Sequence, residues 1–185
     1  MSAPYYPANV LRRFFIGLPV LAGLVISAAS LFGIHFNYSA SYPMGLWIEV
    51  KGEVSLALDR RPYVLACAPG PDQRARYVQR GYLTWGVACI GSVPLLKRVW
   101  ASAGDHWSVT ADGVRVNNRL IANTKPLEKD SKGRPMPKAT GGMVPDGHVL
   151  LLSDYSPLSF DGRYFGSTPV EDLISEVRPL WTTSP

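Results

Sequence analysis

The chain is 185 residues long, with 19 basic and 14 acidic side chains and a formal net charge of +5. That length accommodates one domain and a short accessory segment, and it is too short for two domains of ordinary size. Glycine and proline are scattered along the chain, which excludes a collagen-like or low-complexity protein and favours a turn-rich globular domain.

The positive charge does not indicate a nucleic-acid partner. Arg12 and Arg13 are the only charged residues before Glu49, so the chain from Asn37 onward keeps 17 basic against 14 acidic residues, a net charge of +3. The arginines of the RGYL and LLKRV segments are isolated from one another, whereas a polyanion-binding surface clusters basic residues on one face or in a run. We therefore expect no nucleic-acid partner.

An uncharged apolar segment lies near the N-terminus. Residues 14–36 contain no Asp, Glu, Lys or Arg, and as a helix they would extend about 34 Å, enough to cross a bilayer. Arg12 and Arg13 precede the segment and no basic residue follows it until Lys51. The positive-inside rule therefore predicts a cytoplasmic N-terminus, one transmembrane anchor and a periplasmic domain over residues 37–185.

The same segment could instead be a cleaved secretory signal. Ala28, Ala29 and Ser30 would satisfy a small-residue cleavage site. The apolar run continues past these residues to Phe36, which favours retention as an anchor. With retention, residues 1–13 form a cytoplasmic tail.

Two cysteines, Cys67 and Cys89, lie in the predicted periplasmic domain. An oxidising compartment favours a disulfide between them. The bond would close a loop of 21 intervening residues and would stabilise the domain by roughly 3 kcal/mol. Two free buried thiols, or one catalytic cysteine, are the alternatives, although the sequence offers no histidine or metal-ligand partner for the latter.

Hydrophobic alternation and short apolar runs predict a β-rich domain with many turns. The segment 68–81 begins with Pro and Gly and predicts a loop leading into a brief helical turn, while the polar, turn-rich segment 123–147 predicts an extended surface excursion. The predicted strands lie in GLWIEVKG (45–52), PYVLACAP (62–69), a hairpin over 93–118 that turns at Gly104 and Asp105, and HVLLLSDYSP (148–157).

Common catalytic signatures are missing from the chain. No HExxH, GxSxG, Walker A or GxGxxG pattern occurs. The three histidines, His35, His106 and His148, are too dispersed to predict a metal site, and no other cofactor is expected. Serine, lysine and aspartate remain as the candidates for chemistry.

Lys97 occupies an unusual position for a lysine. In the predicted strand VPLLKRVW, a period of two places it on the same face as Leu95 and Val99. Its stem could lie along the surface with the ammonium reaching water. Alternatively the amine is buried, which would lower its pKa towards the range where a neutral amine accepts a proton from serine. Such a shift costs roughly 3 to 5 kcal/mol, so burial would indicate a function.

Three segments in chain order resemble the serine, lysine and aspartate motifs of signal peptidases. They are NYSASYPMGLW (37–47), LLKRVWASAGD (95–105) and SDYSPLSFDGRYFG (153–166). The resemblance covers nearly all of the chain after the predicted anchor, and it is to the TraF-type conjugal-transfer peptidases in particular, the branch that matures pilin subunits. It implies a signal-peptidase-like catalytic domain of antiparallel β-sheet behind one N-terminal transmembrane helix.

The resemblance also implies roles for single residues. Ser41, in the SxPxG pattern, is similar to the nucleophile, and Lys97 to the general base. Ser39 resembles the hydroxyl that joins the backbone amide of Ser41 in an oxyanion hole. Ser159 is similar to the serine that orients the lysine amine.

Further motif residues have supporting roles in this resemblance. Asp161 and Arg163 are similar to an ion pair that braces the third segment, and Asp154 to a further aspartate near the site; the alternatives are a turn-forming Asp and a surface Arg. Two positions depart from the family pattern. Gly162 stands where serine is usual, which predicts a looser backbone beside Asp161, and Trp47 stands where tyrosine is usual.

The implied function is a serine endopeptidase that removes signal or propeptide segments from exported precursors, in particular a conjugative pilin, with cyclisation of the product as an alternative to hydrolysis. The expected partners are that precursor, membrane lipid and other proteins of the conjugation channel. Only four residues separate Phe36 from Ser41, so we expect the nucleophile at the bilayer surface, with Tyr42, Met44 and Leu46 available to contact lipid.

Two other functions fit the same sequence. One is a non-catalytic envelope protein that assembles a conjugation or secretion channel and keeps the shell of a peptidase. The other is a self-cleaving Ser–Lys repressor, which the predicted anchor disfavours.

Overall fold

The computed structural model describes residues 20, 23, 29, 31–54 and 59–183. Residues 36–185 form one compact unit and residues 1–35 another, and the fold below is that of the larger unit. The predicted anchor lies largely outside the described residues, and its final residues, from Ile34 to Phe36, are extended and not helical. No helix within the described ranges has the length and hydropathy needed to cross a bilayer.

Antiparallel strands dominate the described part of the chain, as the alternation predicts. Their bounds are β1 Ile34–Asn37, β2 Gly45–Glu49, β3 Tyr63–Ala66, β4 Leu95–Ser102, β5 His106–Thr110, β6 Gly113–Val116, β7 Arg119–Leu120, β8 Gly142–Met143, β9 His148–Leu152, β10 Thr168–Pro169 and β11 Leu173–Thr182. Among these residues, seven strands form one sheet in the order β1-β2-β11-β3-β4-β9-β10, and four form a second in the order β7-β6-β5-β8.

Helical structure is short in the larger unit. Helix α1 (Pro71–Arg80) begins with proline at a position that needs no backbone donor and ends where Gly81 adopts a left-handed conformation, φ 80°. At ten residues it is longer than the brief turn that the sequence predicts. Helix α2 (Gly162–Phe165) is a single turn that begins after Asp161.

The larger sheet buries apolar side chains on both of its faces. Val64 and Leu65 are neighbours in β3 and therefore point to opposite faces. Val64 packs in a cluster with Val99 and Leu151, whereas Leu65 packs in another with Leu96. A third cluster joins the two sheets; it contains Trp100, Ala101, Trp107, Val114, Val116, Ile121, Val144, Leu150 and Leu152.

The last strand, β11, is the one long strand that the sequence patterns do not indicate. It lies inside the larger sheet, where it pairs with β2 on one side and β3 on the other. Glu176, Arg178 and Pro179 interrupt its apolar pattern, and the register shifts between Pro179 and Trp181. A strand that contains charged residues and proline can be recognised only from the strands that pair with it, here β2 and β3.

The cysteine pair is joined, which confirms the predicted disulfide. Cys67 and Cys89 have Cα atoms 5.4 Å apart. The buried side chain of Arg74, on α1, donates a hydrogen bond to the carbonyl oxygen of Cys89 and lies 3.5 Å from the carboxylate of Asp172. The disulfide and Arg74 together attach the excursion containing α1 to the larger sheet.

Candidate active site

Strand β4 carries Lys97 into the interior of the protein. Lys97 is 1% exposed, so its amine is buried and does not reach water. Its Nζ lies 2.9 Å from Ser41 Oγ and 3.0 Å from the carbonyl oxygen of Leu96. A neutral amine has two protons and one lone pair, so it can donate to Leu96 and accept the hydroxyl proton of Ser41.

Burial changes the proton affinity of this amine. Removal from water lowers the pKa of Lys97 to about 8; the carboxylate of Asp161 opposes the shift and the guanidinium of Arg163 adds to it. With that value about a quarter of the amine is neutral at pH 7.5. The position of Lys97 and its lowered pKa are those that general-base chemistry requires.

Ser41 lies in the turn between β1 and β2, and its hydroxyl faces two other side chains. Besides Lys97 Nζ, Ser159 Oγ lies 3.3 Å from Ser41 Oγ. Ser159 is 3% exposed. Within the described residues its hydroxyl forms a hydrogen bond with Ser41 and none with the Lys97 amine. The geometry thus groups Ser41, Lys97 and Ser159, with the two serines in direct contact.

A buried ion pair stabilises the segment that carries Ser159. Asp161 and Arg163 are each 0% exposed, and Arg163 binds the carboxylate through two nitrogens, Nε to Oδ1 and Nη2 to Oδ2, both at 2.8 Å. Arg163 also donates to the carbonyl oxygens of Asn123, Lys125, Pro157 and Ser153. Such a fork of hydrogen bonds compensates the burial of both charges.

Gly162, between these two residues, is not a loosening of the backbone. A Cβ at this position would lie 2.8 Å from both Leu150 Cδ1 and the carbonyl oxygen of Leu151. The absence of a side chain lets α2 pack directly on β9, and the Asp161 side chain accepts a hydrogen bond from the backbone amide of Arg163 at the start of this turn. The prediction of a looser backbone beside Asp161 is wrong. The glycine is required because α2 packs closely on β9 at this position.

Comparisons with known proteins identify the family to which this sequence is similar. The sequence family described as signal peptidase, peptidase S26, matches residues 12–181. A plasmid transfer protein TraF from Escherichia coli is 36% identical over 162 residues, covering 86% of this chain and 89% of the relative. A probable conjugal transfer protein TraF from Sinorhizobium fredii is 34% identical over 194 residues, with all of both chains covered.

The chain belongs to the signal peptidase S26 family.

Two more distant similarities involve parts of the chain. Thylakoidal processing peptidase 1 of Arabidopsis thaliana is 35% identical over 80 residues, which is 43% of this chain and 22% of that protein. The crystal structure of a signal peptidase I from Enterococcus faecalis has a TM-score of 0.35 at 15% identity, and the similarity covers 63% of this chain and 92% of that one.

In this member of the S26 family, Asp154 is bonded to Tyr42 and Arg98 and makes no hydrogen bond to Ser41 or Lys97. Tyr42 donates a hydrogen bond of 2.8 Å to Asp154 Oδ1, and Arg98 lies 3.4 Å from the other carboxylate oxygen. Burial, and secondarily the charge of Asp154, raises the pKa of Tyr42 well above its usual range. Tyr42 is 2% exposed and packs edge-on against Trp47. The expectation that Tyr42 contacts lipid is therefore wrong.

The substitution at Trp47 also has a structural reason. Its indole Nε1 donates to the carbonyl oxygen of Pro43 over 3.2 Å, while the ring is 2% exposed and packs against Tyr63. Trp47 therefore stabilises the turn after the proposed nucleophile. Met44, by contrast, is 49% exposed, and Leu46 is half-buried.

Two residues that contact the nucleophile turn were not identified from sequence. Ser153 follows β9 and donates to the carbonyl oxygen of Ser41 over 2.6 Å. Asn37 ends β1 and binds Ser39 through both its amide oxygen and its amide nitrogen. Both residues lie inside the motif segments, and this location is the sequence signal by which they could have been identified. Their partners, however, depend on how the chain folds back on itself.

Proposed function

We propose that this S26 family member is a serine endopeptidase in which Ser41 is the nucleophile and Lys97 the general base. One observation carries the proposal: the buried Lys97 amine lies 2.9 Å from Ser41 Oγ, with a pKa lowered to about 8. A lysine sequestered from water beside a serine hydroxyl is costly for stability and suited to deprotonating that hydroxyl.

The reaction begins with proton transfer within this pair. Neutral Lys97 accepts the Ser41 hydroxyl proton as Oγ attacks the carbonyl carbon of the scissile peptide. The carbonyl oxygen becomes an oxyanion, which the backbone N–H of Ser41 and the hydroxyl of Ser39 stabilise. The Lys97 ammonium then donates its proton to the leaving amine, and the peptide bond breaks to leave an ester on Ser41.

Release of the ester completes the cycle. Water, deprotonated by Lys97, attacks the ester carbon and frees the acyl product as a carboxylic acid. If an amine of the same substrate attacks instead, a new peptide bond closes a ring and no water is consumed. Both endings regenerate the Ser41 hydroxyl.

The substrate that we propose is an exported precursor, in particular a conjugative pilin subunit. The basis is similarity to relatives named plasmid or conjugal transfer protein TraF over most of their length. The processing peptidases among the relatives support cleavage of a targeting segment. Other proteins of the conjugation channel and the lipid of the membrane are further proposed partners.

We also propose a location: the bacterial inner membrane, with residues 1–13 in the cytoplasm, the anchor within the uncharged run that begins at Phe14 and ends before strand β1, and the domain from β1 onward in the periplasm. The uncharged run behind Arg12 and Arg13 supports the anchor and its orientation. The Cys67–Cys89 disulfide supports an oxidising compartment. Protease added to intact spheroplasts should degrade the domain and leave an epitope before Arg12 intact.

The decisive experiment uses two variants and two matched controls. Ser41→Ala and Lys97→Met should each abolish cleavage of a co-expressed pilin precursor, while Ser108→Ala and Lys51→Ala should cleave it normally. Mass spectrometry of the product reports the chemistry, because a cyclic product is lighter by one water than the linear peptide. Full cleavage by folded Ser41→Ala or Lys97→Met would disprove the proposal and favour the non-catalytic assembly role.

A further inference from the structure

One side chain, Asn37, organises the turn that carries the proposed nucleophile. The two protons of its amide nitrogen are shared among the carbonyl oxygens of Ser39, Tyr42 and Pro43, which lie 3.0 to 3.1 Å from the nitrogen. Its amide oxygen accepts from the backbone N–H of Ser39 at 3.1 Å and from the Ser39 hydroxyl at 2.8 Å. These partners lie on both sides of Ser41, with which Asn37 itself forms no hydrogen bond.

The chemistry of these partners determines which end of the amide faces them. Carbonyl oxygens can only accept, so the three of them require the NH₂ group of Asn37. The backbone N–H of Ser39 can only donate, so it requires the amide oxygen. Asparagine has both groups on one short side chain, and an aspartate or leucine of the same size could not form this set of bonds.

The contacts restrict the peptide bond between Ala40 and Ser41. The carbonyl of Ser39 on one side is bound by Asn37, and the carbonyl of Ser41 on the other is bound by the Ser153 hydroxyl. Because each peptide group is planar, fixing both neighbours limits how the group between them can rotate. The N–H of Ser41 on that group has no hydrogen-bond acceptor among the described residues, so it stays available to a ligand.

Asn37 also controls the second proposed oxyanion donor. A serine hydroxyl has one proton, and that of Ser39 points to Asn37 Oδ1 in the free protein. It can stabilise an oxyanion only after turning away from Asn37. Hydrogen bonds to a charged oxygen are roughly twice as strong as those to a neutral one, so this exchange becomes favourable when the oxyanion forms and not before.

We propose that Asn37 is a positioning residue for the oxyanion site: it orients the Ser41 N–H and holds the Ser39 hydroxyl until the oxyanion develops. This inference rests on the proposed function. The exchange breaks no covalent bond, because the Ser39 proton stays on its own oxygen and only its acceptor changes.

The test is a double-mutant cycle in the full-length membrane protein, with kcat and KM measured on a membrane-inserted pilin precursor. Asn37→Ala and Ser39→Ala should each lower kcat by about 10- to 100-fold, as expected when an oxyanion donor is lost or misplaced, with KM changed by less than about threefold. The kcat of the double variant should be no more than about threefold below that of the slower single variant, because both substitutions weaken stabilisation of the same substrate oxyanion.

A second substitution and a control separate positioning from general stability. Asn37→Asp keeps an acceptor for Ser39 but loses the NH₂ group, so its kcat should fall at least as far as that of Asn37→Ala. Asn117 is the matched control, since its amide binds Asp105 Oδ1 at 2.7 Å and the His106 N–H at 2.9 Å in the smaller sheet. Asn117→Gly should keep kcat near that of the wild type.

Two results would overturn the inference. One is wild-type kcat in Asn37→Ala or Asn37→Asp, and the other is fully multiplicative losses in the double variant. If Asn37→Ala does not fold, as judged by circular dichroism, the Asn37→Asp and Ser39→Ala pair supplies the same cycle. Failure of the proposed function gives a different pattern, because cleavage would then persist in Ser41→Ala.

Discussion

The hydroxyl of Ser153 donates a 2.6 Å hydrogen bond to the carbonyl oxygen of Ser41. The backbone of Ser153 is itself fixed, since its N–H donates to Asp161 Oδ2 at 3.0 Å and its carbonyl accepts from Arg163 Nη2 at 3.2 Å. One residue therefore connects the buried ion pair to the backbone of the proposed nucleophile. Asp161 and Arg163, which do not touch Ser41, are coupled to it by this route.

Replacement of Ser153 tests this connection. Ser153→Ala leaves the Ser41 carbonyl without its donor, and we expect a kcat about tenfold lower, with an unfolding free energy reduced by about 1 to 2 kcal/mol. The control is Ser156→Ala, a buried serine in the same loop whose hydroxyl accepts from the Leu158 N–H. Equal kcat values in the two variants would contradict the proposed connection.

The lowered pKa of Lys97 predicts how cleavage depends on pH. Because only the neutral amine accepts the Ser41 proton, kcat/KM should rise tenfold per pH unit below pH 7 and reach half of its maximum near pH 8. A profile of precursor cleavage between pH 6 and pH 9.5 measures this. A half-maximum near pH 10, the range of an exposed lysine, would show that the amine is not buried in the active protein.

The same shift predicts a pH-dependent cost to stability. The pKa of Lys97 is lower in the folded protein than its ordinary value of 10.5, so folding disfavours the protonated amine. The full penalty, about 3 kcal/mol, applies below pH 8 and disappears as the pH rises towards 10.5. Lys97→Met should therefore be more stable than the wild type at pH 7, and the difference in urea unfolding free energy should shrink above pH 8.

A side chain at position 162 should disturb the ion pair. In Gly162→Ala the added Cβ meets the Leu151 carbonyl oxygen, a backbone atom that cannot turn aside, so we expect a loss of about 1 to 3 kcal/mol in stability together with lower kcat. Gly133→Ala is the control, since its φ of 74° is strained for a residue with a side chain, while no atom beyond its chain neighbours lies within 4 Å of the new Cβ. It should lose stability and keep its kcat.

The disulfide should contribute to stability rather than to chemistry. Replacing Cys67 and Cys89 together by serine frees a loop of 21 residues and should lower the unfolding free energy by about 2 to 4 kcal/mol. The unfolding free energy of the wild-type protein measured in the presence of dithiothreitol should match that of the double variant. Below the unfolding transition, kcat should remain within about threefold of the wild type, because the hydrogen bonds of Ser41 and Lys97 involve neither cysteine.

Local sequence patterns predicted much of the fold. Alternation around Leu46 and apolar runs around Leu96 and Leu150 locate strands β2, β4 and β9, because burial of one or both sheet faces leaves a signal within a few residues. The inner strand β11 left no such signal. Its charged residues and Pro179 are tolerated because β2 and β3 cover its edges, which is a property of the neighbours.

The amino-acid sequence by itself determined a β-rich domain, the order of the three motif segments and the two cysteines available to pair. Tertiary structure decided the rest of the site. Ser41 and Lys97 are 56 residues apart, and Ser41 and Ser153 are 112 apart. Their contacts depend on the register of whole strands, which no local pattern encodes. The burial that lowers the pKa of Lys97 likewise comes from residues distant in the chain, so sequence could offer burial only as one of two alternatives, and packing selected it.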